Sequence, residues 1–280
     1  MSRPTKLLLA FAAGAAVGSA ILRRRLRPAV GQRMDQVQDQ MDQLKAAYEQ
    51  QDRMRRDFTA NVSHELKTPL QGIVGSAELI QSGMVKPEDM PRFVGHIHDE
   101  ASRMVTLVED IIRLSQLDEG DAMPTETVDL LALSQEAVTN LQDAAAKQQV
   151  SLSVDGGHAP VIGVRRLLYE VIFNLCDNAI KYNQDSGAVK VSVTKEDGFV
   201  VLTVQDTGIG IPAGETDRVF ERFYRVDKSH SKKIGGTGLG LSIVKHAAAY
   251  HDARIQLDSQ LGHGTRVRVL FHPSQEGEGV

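Results

Sequence analysis

Tryptophan is absent from the 280 residues, and aromatic side chains together make up only 5% of them. The chain therefore lacks the supply of stacked rings that single-stranded nucleic-acid binders use. A net charge of −4 and a pI near 6.1 exclude a general electrostatic pull toward nucleic acid, so no nucleic-acid partner is expected. The single cysteine, Cys176, cannot close an internal disulfide; it fits a reducing compartment and reads as a small buried apolar residue. Also missing are the G-x-x-x-x-G-K-[ST] loop and the H-R-D and D-F-G signatures, so any use of ATP must run through a different cradle. Internal repeats and low-complexity tracts are lacking too, apart from a Gly/Glu-rich tail at Gln275–Val280.

What is present begins with a run free of charge, Leu7 to Leu22, followed at once by Arg23, Arg24, Arg25 and Arg27. Sixteen helical residues span about 24 Å, short of a ~30 Å hydrocarbon core, a gap that local thinning or snorkelling arginines can close. The arginines outnumber Arg3 and Lys6 on the other side, which places the bulk of the chain in the cytoplasm behind a single-pass inner- or plasma-membrane anchor. Gly18-Ser19-Ala20 resembles a signal-peptide cleavage site, the rival reading, but arginines directly after it oppose export. Ala10, Gly14 and Gly18 form a small-residue face on which two such helices can pack.

Met34, Val37, Met41, Leu44 and Tyr48 then alternate steps of three and four among polar residues, the pattern of a short parallel coiled coil. The periodicity continues through Phe58, Val62, Leu66, Leu70, Ile73, Ala77 and Ile80 and stops at Ser82-Gly83. A second helix is expected from Pro87-Glu88-Asp89, with apolar positions Phe93, Ile97, Met104, Val108, Ile111 and Leu114. Two amphipathic helices joined by a tight turn make a hairpin, and two hairpins dimerised as a four-helix bundle bury what one cannot. After a break at Glu119–Thr125 the texture becomes mixed. Helices are expected over 131–147, 165–182 and 239–250, and strands over 150–154, 189–194, 200–205, 255–258 and 265–271, as in an α/β sandwich with helices on one face of a mixed sheet.

The most informative stretch runs from Phe58 to Leu70, F-T-A-N-V-S-H-E-L-K-T-P-L. At ~100° per residue His64 lies ~200° from Val62 and Leu66, so it turns away from the apolar seam. A neutral imidazole with one nitrogen free is a good nucleophile. Glu65 beside it can fix the tautomer and absorb developing charge, and the Thr68 hydroxyl, one turn on, can orient a water against a phosphorylated ring. Pro69 removes an N–H from the helix and should bend it there.

Further along, Asn174, Asn178 and Lys181 fall at i, i+4 and i+7 on one helix, hard amide oxygens and a point charge that suit Mg²⁺ and phosphate. Asp206-Thr207-Gly208-Ile209-Gly210 follows a strand, where a carboxylate can accept an adenine amino group while glycines let backbone approach the ring. Gly236-Thr237-Gly238-Leu239-Gly240 opens a helix whose free N–H groups can meet phosphate. Between them, Phe220–Asp227 and the Lys-rich stretch 228–233 look like a mobile lid.

The Phe58–Leu70 stretch resembles the histidine-bearing box of bacterial sensor histidine kinases of two-component systems. The later motifs, in order, resemble that family's N, first glycine, F and second glycine boxes, closing with Gly262-His263-Gly264-Thr265. The likeness spans about residues 58–271, and within the family the texture is similar to phosphate-regulon sensors. It implies that His64 is the phosphoacceptor, Glu65 the assisting base and Thr68 a support for phosphatase activity. It implies that Asn178 and Asn174 hold Mg²⁺ and that Lys181 and Arg225 meet the phosphates of ATP. Tyr182 would stack near adenine, Asp206 would recognise it, and Gly208, Gly210, Gly236, Thr237, Gly238, Leu239, Gly240 and Thr265 would complete the site. The ATPase fold would be the Bergerat sandwich shared with gyrase and heat-shock chaperones. Val164 departs from the family, which commonly has an acid there, a change expected to touch a helix cap.

The expected organisation is a membrane anchor with basic flank over 1–28, a coiled-coil linker over 29–57, a dimerisation and phosphotransfer hairpin over 58–120, an ATP-binding domain over 124–273 and a tail over 274–280. The expected partners are a second copy, a cytoplasmic response regulator and the membrane. The rivals are a Bergerat-fold ATPase that moves a clamp, a phosphatase or scaffold without kinase activity, and a periplasmic interaction protein.

Overall fold

The computed structural model describes residues 3–119, 123–226 and 236–274, with the backbone alone over 3–37 and at 39, 47 and 51. The expected anchor side chains, residues 120–122, the segment 227–235 that holds the expected lid, and most of the tail lie outside the described residues. Among the described residues no helix is long and apolar enough to cross a membrane.

The chain divides into two compact units, Met1–Val62 and Ser63–Val280. Helix α1 is assigned over Arg3–Gln81. In the first unit its Met41, Leu44 and Tyr48 stand exposed, while Gln38 pairs with Asp42 and Arg56 with Asp52 along the solvated face.

In the second unit, α1 ends in a six-to-one cap: Met84 N–H reaches the Leu79 carbonyl and Gly83 N–H the Ile80 carbonyl, with Gly83 at φ +71°. Only glycine adopts that conformation without strain, which is why the periodicity stops there. Pro87–Asp89 forms a 3-10 turn rather than the first α-helical turn the sequence suggests, and α2 follows over Met90–Glu119. Leu107 and Leu114 are buried, and Ser76 meets His96 across the hairpin at 3.1 Å. A second apolar face, with Leu70, Val74, Val105, Val108 and Ile112, remains exposed. Helix α1 is assigned unbroken through Pro69.

Beyond the hairpin come β1 (Glu126–Asp129), α3 (Leu130–Lys147), β2 (Ser151–Gly156), β3 (Pro160–Gly163), α4 (Arg165–Lys181), β4 (Ala188–Glu196), β5 (Phe199–Asp206), α5 (Gly240–Tyr250), β6 (Arg254–Gln260) and β7 (Gly264–Phe271). Five strands form one mixed sheet in the order β2-β4-β5-β7-β6, with only β2 and β4 parallel. Alternate residues Val189, Val191 and Val193, then Val200, Leu202 and Val204, join Val267, Val269 and Phe271 in one core with the helices. β1 and β3 pair in a separate two-stranded sheet that the sequence reading misses. Four residues each is too short for alternation to register.

Helix α4 starts on Val164, which offers no side-chain cap. The half-buried imidazole of His251 takes over: its Nε2 accepts the Val164 N–H at 3.0 Å while Nδ1 lies 2.7 Å from the Ala247 carbonyl. Burial pushes this ring's pKa below its usual value, so it stays neutral with the proton on Nδ1. Cys176 is fully buried on α4, and burial pushes its thiol up to about 12, leaving an inert apolar filler.

Candidate nucleotide site and acceptor histidine

A cavity of about 540 Å³ opens between α4, the end of β5, the segment 219–226 and the start of α5. Asn174, Asn178, Lys181, Tyr182, Asp206, Gly210, Arg225, Gly236, Thr237, Gly238, Gly240 and Thr265 all line it. Residues scattered over ninety positions of sequence thus face one space. Gly208 stands just behind the wall, donating its N–H to Asp206, and Leu239 does not face the cavity. Its side chain is fully buried behind the turn, so only its backbone can meet a ligand there.

Asp206 ends β5 with Oδ1 accepting the N–H groups of Gly208 at 2.8 Å and Thr265 at 3.1 Å; its second oxygen takes no part in these bonds. Burial pushes this carboxyl above its usual range, against the downward pull of those two N–H groups. Gly210 turns at φ +68°, and a Cβ there would lie 2.1 Å from the Gln260 carbonyl oxygen, so the wall admits only glycine.

Asn174 donates its amide nitrogen to the Glu170 carbonyl at 2.8 Å, which turns Oδ1 toward the start of α5. A Cβ on Gly240 would sit 2.8 Å from that oxygen, so the glycine keeps the space in front of it open. Two amide oxygens, one helix turn apart at the edge of a cavity, suit a hard cation that keeps water and takes its other oxygens from phosphates. The donor set fits Mg²⁺. Lys181 lies beside them, ion-paired with Asp177 at 2.7 Å. Arg225 Nε is buried without a hydrogen-bond partner, a donor turned into the same region.

His64 is exposed on α1, its side chain 79% accessible, as its angular position predicts. The expected hydrogen bond from the ring N–H to Glu65 is not made: Oε1 lies 4.0 Å from Nδ1. Glu65 Oε2 instead accepts from Arg225 of the cavity at 2.9 Å, with Arg103 at 4.0 Å. A fully charged partner outcompetes an imidazole at this range. Thr68 donates to the His64 carbonyl at 3.3 Å and is otherwise exposed.

Sequence reasoning missed the contribution of α2. Thr106, Asp110 and Arg113 also line the cavity. Asp110 accepts from Thr237 Oγ1 at 2.8 Å, and Arg113 lies 3.7 Å from Asp110 and 3.5 Å from Glu170 of α4. Arg222 reaches Asp118 at 2.6 Å and Arg166 reaches Gln116 at 2.9 Å, so the C-terminal half of α2 is clasped. One signal was available: Asp110 sits at i+3 from Leu107 and i−4 from Leu114, an acid within a buried apolar stripe.

Comparison with known proteins agrees with this layout. Residues 54–120 match the family model described as a His Kinase A (phospho-acceptor) domain. Residues 163–275 match the histidine kinase-, DNA gyrase B- and HSP90-like ATPase. The chain is 42% identical over 214 residues to the sensor-like histidine kinase SenX3 of Mycolicibacterium smegmatis, covering 75% of this chain and 56% of that protein. It is 37% identical to the phosphate regulon sensor protein PhoR of Pseudomonas aeruginosa, covering 82% and 52%. The chain therefore spans about half the length of the curated relatives it matches. Among solved structures, Acinetobacter baumannii histidine kinase AdeS superposes with a TM-score of 0.63 at 24% identity, covering 76% of this chain and 98% of that one. Histidine kinase ThkA in complex with response regulator protein TrrA gives 0.65 at 21%, covering 82% and 67%. These two establish the shared fold.

Proposed function

This chain belongs to the sensor histidine kinases of two-component systems, and from that premise we propose that it phosphorylates its own His64 from ATP and passes the phosphoryl group to an aspartate of a response regulator. The observation that carries this reading is the pairing of an outward-facing imidazole with a cavity that gathers Asn174, Asn178, Asp206 and the Gly236–Gly240 turn, the two linked by Arg225 and Glu65.

The nucleotide is oriented at one end by Asp206, whose unbonded carboxylate oxygen can accept from the adenine amino group, with Tyr182 beside it. At the other end Lys181, Arg225 and the N-terminal amides of α5 face the phosphates. Asn178 and Asn174 would hold Mg²⁺, which when bound neutralises charge on the transferred group. Nδ1 of His64 is the ring nitrogen nearer Glu65, so Nε2 is the one to attack. As the N–P bond forms, the bond to ADP breaks and the Nδ1 proton can pass to Glu65. Catalysis is mainly positioning and electrostatics. Thr68, exposed one turn below, supports the reverse phosphatase reaction toward the regulator.

Two further parts of the reading rest on surface chemistry. The apolar face of Val105, Val108, Ile112, Leu70 and Val74 is what a second copy would cover in a four-helix bundle. The uncharged Leu7–Leu22 run with its flanking arginines supports attachment to the membrane from the cytoplasmic side. Incubation with γ-labelled ATP tests the chemistry: the account predicts label on the protein that is lost in acid and retained in base. Nucleotide hydrolysis without retained label would favour the clamp-ATPase reading instead.

A further inference from the structure

Two donors of the nucleotide cavity are already engaged. Arg225 bonds Glu65 at 2.9 Å, and Thr237 Oγ1 bonds Asp110 at 2.8 Å. Both acceptors are carboxylates of the helical hairpin, and both donors belong to the segments that face the phosphates. The side chains of Arg225 and Asp110 are only 7% and 10% exposed, so these are enclosed contacts and not loose surface pairs. A carboxylate oxygen accepts the same charge-assisted bonds as a phosphate oxygen. The hairpin thus presents, inside the cavity, groups with the chemistry of the ligand.

We propose that Asp110 is an internal competitor of the nucleotide's phosphates: while α2 is docked it occupies Thr237 and lowers nucleotide affinity, and bound nucleotide in turn loosens α2 from the cavity. This deepens the reading of the cavity as an ATP site and rests on it. Coupling of this kind is reciprocal, since what weakens binding must itself be weakened by the ligand. The surroundings fit displacement. Burial pushes the Asp110 carboxyl above its usual range, with Thr237, Arg113 and Lys181 pulling it down and Glu109 pushing it up. An enclosed carboxylate so incompletely compensated is displaced at little cost to its own solvation. Arg113 fixes its place, reaching Glu170 of α4 at 3.5 Å.

The test is calorimetric titration of a non-hydrolysable ATP analogue with Mg²⁺ into the full chain, its Asp110→Asn variant and its Asp110→Ala variant, each checked for a cooperative thermal transition. The expected result is binding about five-fold tighter or more in both variants, the lower range of an allosteric coupling. Equal or weaker binding would overturn the competition and leave Asp110 a brace. Hydrogen exchange on the unaltered protein supplies a second readout: saturating analogue should speed exchange of α2 amides around Asp110, whereas protection there would contradict the proposal. No binding by any of the three proteins would instead overturn the nucleotide reading of the cavity, and this inference with it.

Discussion

Glu65, the neighbour of the exposed His64, accepts a hydrogen bond at 2.9 Å from Arg225, a residue 160 positions away that lines the nucleotide cavity. The acid assigned to the acceptor and the cation assigned to the phosphates hold each other. In the proposed mechanism either serves phosphoryl transfer only when this pair exchanges for contacts with imidazole and phosphate.

Arg225 is accordingly expected to matter more for rate than for folding. Arg225→Ala should lower the initial rate of protein labelling by about 10²-fold, the usual cost of one preorganised charge at a transferring group. Its thermal transition should stay close to that of the parent. A variant that labels at the parental rate would remove Arg225 from the mechanism.

Asp206→Asn separates recognition from stability. The amide can still accept the Gly208 and Thr265 N–H groups through one oxygen, but it replaces the other with a donor that opposes the adenine amino group. Analogue affinity should fall roughly ten- to a hundred-fold, the 1–3 kcal/mol of an unmet buried polar contact. Because burial raises the Asp206 carboxyl, its charged form costs stability above its ordinary pKa, and the neutral variant should melt at the same temperature or higher at pH 7.

His251 gives a pH dependence of defined sign. Its folded-state pKa lies below the ordinary 6.5, mainly through burial, so the unfolded chain binds the proton more readily. The stability it contributes is present above about 6.5 and is lost as pH falls below that value toward the folded pKa. Thermal melts between pH 7.5 and 5.5 should show this slope, and His251→Leu should lose it. The variant should also be less stable by about 1–3 kcal/mol, because the buried Val164 N–H loses its acceptor.

The exposed hairpin face carries the fourth expectation. Val108→Asp together with Ile112→Asp places two charges on a face that is already exposed in one copy, so the fold should persist. Light scattering should show a dimer for the parent and a monomer for the double variant. A dimer surviving both changes would place the contact elsewhere.

The sequence revealed elements whose signal is local. His64 faces solvent because its angle to Val62 and Leu66 requires it, and the break at Gly83 follows from one backbone conformation. The five strands of the main sheet and the three helices of the sandwich fall within a few residues of where their periodicity places them. Misses occur where the deciding contact is remote. Glu65 reads as the partner of His64 until Arg225 is brought beside it, and Asp110 reads as one acid on a helix until Thr237 arrives. Leu239 belongs to a phosphate-binding motif in sequence, yet the backbone turn sends its side chain into the core. No spacing within one element encodes these outcomes, since each depends on two segments more than 100 residues apart or on a turn's exit angle.

The central claim is that the His64 imidazole takes the terminal phosphoryl group. The most direct measurement compares retention of γ-label by the parent protein and by His64→Gln, with analogue binding confirmed in both. The account predicts acid-labile label in the parent and none in the variant. Label retained by a nucleotide-binding His64→Gln protein would contradict it.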